Sequence, residues 1–130
     1  MAVVAGLAAS VALIMAVQAL SARLYPPPPG LDLTDPGALA ELMAQMPLGA
    51  LLMVELSYAV GSLGGGVAAG MVSRERPYLP AAVVGALLTL AGLANLAAIP
   101  HPAWFAVVTT VTYVPCALQG AWMAAFRGRG

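Results

Sequence analysis

Three stretches of this chain carry no charged residue: Met1 to Ala22, Leu56 to Ser73, and Pro77 to Phe126, the last interrupted only by Pro100-His101-Pro102. A helix crossing a bilayer needs about 20 mostly apolar residues. Helices suit hydrocarbon because they satisfy their backbone N–H and C=O groups within one segment. The apolar blocks are long enough, and the PHP turn divides the third. They predict four spans, at residues 2–22, 47–72, 78–99 and 103–126, within one membrane domain covering 1–130. A water-soluble globule is excluded by composition, because charged residues make up 8% of the chain against about 25% in soluble domains. The expected class is an all-α membrane protein with four transmembrane helices in a compact bundle.

The first run differs from a secretory signal. No Lys or Arg precedes it, and it exceeds the usual apolar core of such signals, although Ala19-Leu20-Ser21 resembles a cleavage site. A retained helix is expected. Arginine supplies every cation in an Ala- and Gly-rich background, a composition that points to a GC-rich bacterial genome. Cationic residues in short loops stay on the cytoplasmic side. Arg74 and Arg76 lie in "SRERP" and Arg127 and Arg129 in "FRGRG", on one side if there are four spans. The other side holds Arg23 against Asp32, Asp35 and Glu41. Both termini are therefore expected in the cytoplasm of a bacterial inner-membrane protein, with the first loop and the PHP turn outside.

That first loop, 23–46, contains "YPPPPGLD". Consecutive prolines favour extended polyproline II at about 3.1 Å per residue, so Pro26 to Pro29 should form a stiff strut about 12 Å long that Gly30 releases. In "TDPGALAELMAQM", Asp35 reads as an N-cap and Pro36 as the first helical residue. Leu39, Leu42, Met43 and Met46 recur at three- and four-residue spacing, predicting a short external amphipathic helix on the surface or over the bundle mouth.

Lipid tails are as apolar as leucine, so membrane helices associate through small residues that let backbones approach. In the second span Ser57, Gly61 and Gly65, and then Gly66 and Gly70, have the required four-residue spacing. At 100° per residue, Leu52, Met53, Leu56, Val60, Leu63 and Val67 form an opposite stripe expected to face lipid. The third span contributes Gly85, Thr89 and Gly92. The fourth presents Thr109, Thr112, Tyr113, Cys116, Gln119 and Gly120 on one stripe, with Pro115 mid-span and Thr112 near the carbonyl that Pro115 frees. Tyr78, Trp104, Phe105 and Trp122 sit near span ends, as interfacial aromatic residues do.

Glu55 is the most informative residue. It lies about 12 Å inside the second span, where a charge costs about 2.5–3.5 kcal/mol on insertion scales. It must face protein, find a hydrogen-bond partner, or hold a proton. The candidate polar cluster around it is Gln18, Tyr58, Asn95, His101, Thr109 and Tyr113. Three roles stay open for Glu55: a structural carboxyl bonded to Asn95 or His101, a proton or cation site, or an acid or base facing a lipid-derived substrate.

Several classes are disfavoured. A net charge of zero lacks the basic surface that nucleic acid requires. One His and one Cys, widely separated, make a poor metal site, and Cys116 cannot form an internal disulfide. No nucleophile–base constellation or phosphate-binding loop is present, and no cofactor is implied.

"YPPPPGLD", the "GGG" of the second span and "NLAAIPHPAWF" together resemble a recurrent group of small bacterial four-helix membrane proteins. These share a proline-rich turn after the first helix and an Asn-x-x-x-x-Pro-His-Pro-x-Trp signature before the fourth. The resemblance implies the same topology and marks Asn95, His101 and Trp104; it implies no activity. The expected role is that of a non-catalytic accessory subunit or self-associating scaffold among membrane lipids, as a homo-oligomer or within a larger complex. The alternatives are a small oligomeric transporter or proton-coupled carrier using Glu55, and then an enzyme acting on a lipid or quinone.

Overall fold

The computed structural model describes residues 1–26, 28–30, 32 and 34–129. Among these residues the chain is helical throughout, with α1 Ala2–Leu24, α2 Pro36–Gln45, α3 Leu48–Val72, α4 Tyr78–Ala98 and α5 Ala103–Arg127, and no strand. Prolines set most of the boundaries. The residue before a proline is pushed out of the α region by the pyrrolidine ring. Tyr25 (ψ 71°), Met46 (ψ 127°) and Ile99 (ψ 127°) each stand before a proline and each end a helix. α2 starts as its sequence predicts: Asp35 Oδ1 accepts from the Gly37 N–H at 3.0 Å, and Pro36 opens the helix. Gly30 takes a φ of 80°, open to glycine without steric cost, and turns the chain after the prolines. The expected polyproline strut includes Pro27, which lies outside the described residues.

α1, α3 and α4 are long and apolar enough to cross a membrane. α5 is as long as α3 at 25 residues, yet it is not among them, which corrects the expectation of four membrane spans to three helices apolar enough to cross. Its threonines, Tyr113, Pro115 and Gln119 dilute the apolar content. α5 also continues through Pro115 without a break. The Thr112 hydroxyl contacts the Val108 carbonyl at 2.7 Å, not the Val111 carbonyl that Pro115 leaves without its i→i−4 donor.

The distribution of side chains is inverted relative to a water-soluble protein. Val107, Leu90 and Val111 are at least 60% exposed, whereas α3 buries Ser57, Gly61, Ser62, Gly65, Gly66 and Gly70. Large apolar groups outside and small ones inside fit a molecule whose solvent is hydrocarbon. The larger core residues are few: Val84, Leu88 and Tyr113 cluster around Ala69, and Phe105 is buried nearby in sequence to exposed Trp104. Phe105 is therefore a core residue, not the interfacial residue its position near a span end suggested.

α3 is the central helix, packed against α1 on one side and α5 on another, with α4 closing on both α3 and α5. It has two small faces. Toward α1, a Cβ at Gly65 would stand 2.8 Å from the Gly6 carbonyl oxygen, and one at Gly61 would stand 3.0 Å from that of Ser10. Toward α5, Gly66 lies against the Ala117 backbone and Gly70 against the Cα of Ala121. Gly120 reciprocates against the backbone of Leu63 and Val67. α4 meets α5 through Gly85, next to the Val114 Cα, and Gly92, beneath the Tyr113 ring. The stripe expected to face lipid is thus correct only in part: Leu52 and Leu56 are exposed, while Leu63 and Val67 flank the α5 seam. A helix with two close neighbours needs two small faces, which a single projected stripe merges into one.

The ends of the molecule differ. Residues of the α3–α4 turn and of the α5 C-terminus, with all four of their arginines, line one cleft. At the opposite end, Met43 and Met46 of the α2 segment share a crevice of about 230 Å³ with Leu51 and the PHP turn. α2 thus lies beside the α4–α5 connection, with none of its own residues buried. Tyr25 pins the loop on its return, since any side chain at Gly49 would meet the Tyr25 hydroxyl.

Candidate functional site

Glu55 occupies the third turn of α3, on the side that meets α5. A Glu at this position is about 10 Å from the start of the helix. Two threonines of α5, spaced three residues apart and so on one face, reach it. Thr109 Oγ1 donates to Glu55 Oε2 at 2.7 Å, and Thr112 Oγ1 stands 2.5 Å from Glu55 Oε1. Both carboxyl oxygens are thereby engaged across one interhelical seam. Thr109 is buried, whereas Glu55 and Thr112 are only partly buried.

The hydrogen count at Thr112 is informative. Its oxygen also lies 2.7 Å from the Val108 carbonyl oxygen, which can only accept. A hydroxyl has one proton and can donate to one acceptor at a time. Thr112 therefore divides its one proton between Glu55 and its own helix, whereas Thr109 has Glu55 as its acceptor among the described side-chain hydrogen bonds.

The rest of the expected cluster divides. Tyr58, one turn beyond Glu55, packs against Tyr113 with ring centroids 5.5 Å apart and planes tilted by 45°. Gln18 Nε2 donates to Ser57 Oγ at 3.5 Å, joining α1 to α3, while Ser57 Oγ donates to the Val54 carbonyl. These residues flank Glu55 but do not bond to it.

Asn95 and His101 do not serve as its partners. The Asn95 side chain is in none of the described hydrogen bonds, while its backbone carbonyl accepts from the Ile99 N–H at 3.0 Å. His101 folds back on its own turn, with Nδ1 2.6 Å from the Ile99 carbonyl oxygen and its ring stacked on Phe105 at 5.1 Å. A carbonyl only accepts, so Nδ1 carries the proton. The physical reason is local: the proline-flanked turn offers His101 a carbonyl and an aromatic face within a few residues. Gln119, expected on the packed face of α5, is exposed.

Thr112 is the member that the sequence did not assign to Glu55. Its signal was its spacing from Thr109, which places both hydroxyls on the α3-facing side. No three His, Cys, Asp or Glu side chains come together as a metal site among the described residues. The arrangement is suited to holding, sharing or releasing a proton, and to joining two helices.

Compared with protein-family models, curated proteins and solved structures, the chain matches none.

Proposed function

We propose that the chain is a small polytopic protein of a bacterial inner membrane, non-catalytic, acting as an accessory subunit of a membrane complex or as a self-associating scaffold. In this reading α5 is the fourth span. Its polar residues Thr109 and Tyr113 are buried against the other helices, and Val107, Val111 and Phe126 point outward, so, Gln119 apart, its outward side is more apolar than its composition. α1 runs antiparallel to α3, with Gly6 beside Gly65 and Gln18 beside Ser57. Its N-terminus is therefore at the arginine end. With two arginine-bearing segments there, the positive-inside rule supports cytoplasmic termini. The likeness of the proline-rich turn and the N-x4-PHP-x-W signature to small bacterial four-helix membrane proteins agrees with this topology.

The observation that carries the proposal is the partial exposure of Glu55. Its own chain supplies two hydroxyls but leaves the seam partly open, between exposed Leu52 and Leu56 of α3 and exposed Val108 of α5. Hydrocarbon is a poor cover for a carboxyl group at this depth. A helix from a partner, or from a second copy, would complete the shield. The glycine faces are already occupied within the chain, so the seam is the surface left for association. Blue-native electrophoresis in mild detergent tests this. The wild type should migrate in an assembly larger than the monomer, and Glu55→Leu, which removes the group needing cover, should weaken that assembly. A strictly monomeric particle that copurifies with nothing would overturn the proposal.

The partial exposure of Glu55 also favours a second reading, a proton-coupled carrier in which this carboxyl takes up and releases a proton through the partly open seam. Proton flux in proteoliposomes that disappears in Glu55→Gln would support it. Flux equal to that of protein-free liposomes would reject it.

A further inference from the structure

The arginine end of the molecule contains a cleft of about 880 Å³, within the range of ligand pockets, about 300–1,000 Å³. Two segments far apart in sequence build its rim. Arg74 and Arg76 come from the α3–α4 turn, and Arg127 and Arg129 from the end of α5. Glu75 is the one carboxylate on that rim. Among the described residues no carboxylate lies within 4.0 Å of any of these guanidiniums. The turn is held in shape by Ser73, whose hydroxyl donates to the Arg76 carbonyl at 3.3 Å. Its apolar flank carries exposed Met71, Leu79 and Met123 from three different helices.

The first turn of α4 adds to the same potential. Tyr78 and Leu79 line the cleft, and this helix start has neither a side-chain cap nor an acidic residue. Its unpaired backbone N–H groups and the positive end of its dipole favour an anion nearby. Guanidinium groups bind phosphate oxygens in pairs, with a planar fork that an ammonium lacks. A cleft with a cationic rim and an exposed apolar flank fits an amphiphile carrying a phosphate, not a small anion alone. At a helix end, such basic pockets meet lipid headgroups at the membrane boundary.

We propose that this cleft binds the headgroup phosphate of an anionic phospholipid between Arg74 and Arg76 on one side and Arg127 and Arg129 on the other. The upper acyl chains then lie along Met71, Leu79 and Met123. The proposal shares with the functional reading above only the premise that the helices span a membrane; it is independent of Glu55 and of any protein partner.

Native mass spectrometry of the full chain, released from micelles containing equal amounts of phosphatidylglycerol and phosphatidylcholine with identical acyl chains, tests it. The wild type should retain the anionic lipid with about tenfold preference, as expected for a few guanidinium contacts. Arg76→Gln combined with Arg127→Gln should abolish that preference. Arg23→Gln, at the opposite end of the molecule, should leave it intact. All of these side chains are exposed, and unchanged helical circular dichroism shows that each variant is folded. Equal retention of the two lipids would overturn the proposal, and so would a preference that survives the double substitution. Displacement of the lipid by millimolar glycerol 3-phosphate would reassign the site to a free phosphate and reject the lipid. None of these readings depends on oligomeric state, so they stand apart from the electrophoretic test of the accessory role.

Discussion

Thr109 of α5 donates a 2.7 Å hydrogen bond to Glu55 of α3, 54 residues away in sequence. The bond joins the central helix to its most polar neighbour. Interhelical hydrogen bonds of this kind average about 0.6 kcal/mol and reach about 1.7 kcal/mol in double-mutant cycles, because the separated helices find other partners. A cycle of Glu55→Leu and Thr109→Val, read by reversible unfolding in bicelles, should give a coupling in that range. Thr109→Ser, which keeps the hydroxyl, should retain most of it. A coupling indistinguishable from zero would show that the two residues are neighbours without being partners.

The single proton of Thr112 is shared between two acceptors. With its oxygen close to both the Val108 carbonyl and Glu55 Oε1, it can donate to only one of them at a time. A cycle of Glu55→Leu and Thr112→Val should therefore give a smaller coupling than the Thr109 cycle. A larger coupling would show that Thr112 donates to Glu55 in preference to its own helix.

Helix positions along the chain were legible because local rules govern them. Charge-free runs set the lengths, prolines after Tyr25, Met46 and Ile99 set three ends, and the Asp35-Pro36 pair set the start of α2. The rotation of one helix against another was less legible. Sequence gives the depth of Glu55 but not the direction it faces, and Asn95, His101 and Thr109 all fall at comparable depth. The choice of α5 over α4 follows from packing: Gly66, Gly70 and Gly120 draw α3 and α5 close enough for short side chains to meet. Trp104 and Phe105 illustrate the same limit. They are adjacent in sequence and close to one helix end, yet about 100° apart around it, so one is 40% exposed and the other buried.

The closeness of α3 and α5 should make Gly66 far less tolerant than its neighbour Gly64. A Cβ at Gly66 would run into the carbonyl of Ala117, part of the α5 backbone, which cannot move without separating the helices. A Cβ at Gly64 would meet only the Cδ1 end of Leu13, a flexible side chain that can rotate away. Gly66→Ala should cost about 1–3 kcal/mol, the usual penalty for overpacking, and Gly64→Ala much less. Unfolding midpoints of the two variants in the same detergent check the contrast. Equal midpoints would mean that the seam is looser than its geometry indicates.

The loop between α1 and α2 has its own pH dependence. Asp32 Oδ1 accepts from the Thr34 hydroxyl at 2.6 Å and from the Thr34 N–H at 2.9 Å. These bonds, the hydroxyl first and the amide second, favour the charged carboxylate and hold Asp32 below its ordinary value of 3.8. Because the folded value is the lower one, the contribution to loop order is fully present above the ordinary value and is lost as pH falls through the folded value. NMR titration of the Asp32 carboxyl carbon should therefore show a midpoint below 3.8, and the Thr34 amide should lose its protected shift over the same interval. Thr34→Val removes the larger of the two bonds and should move the midpoint up toward the ordinary value. A midpoint that does not respond to this substitution would assign the depression to some other neighbour.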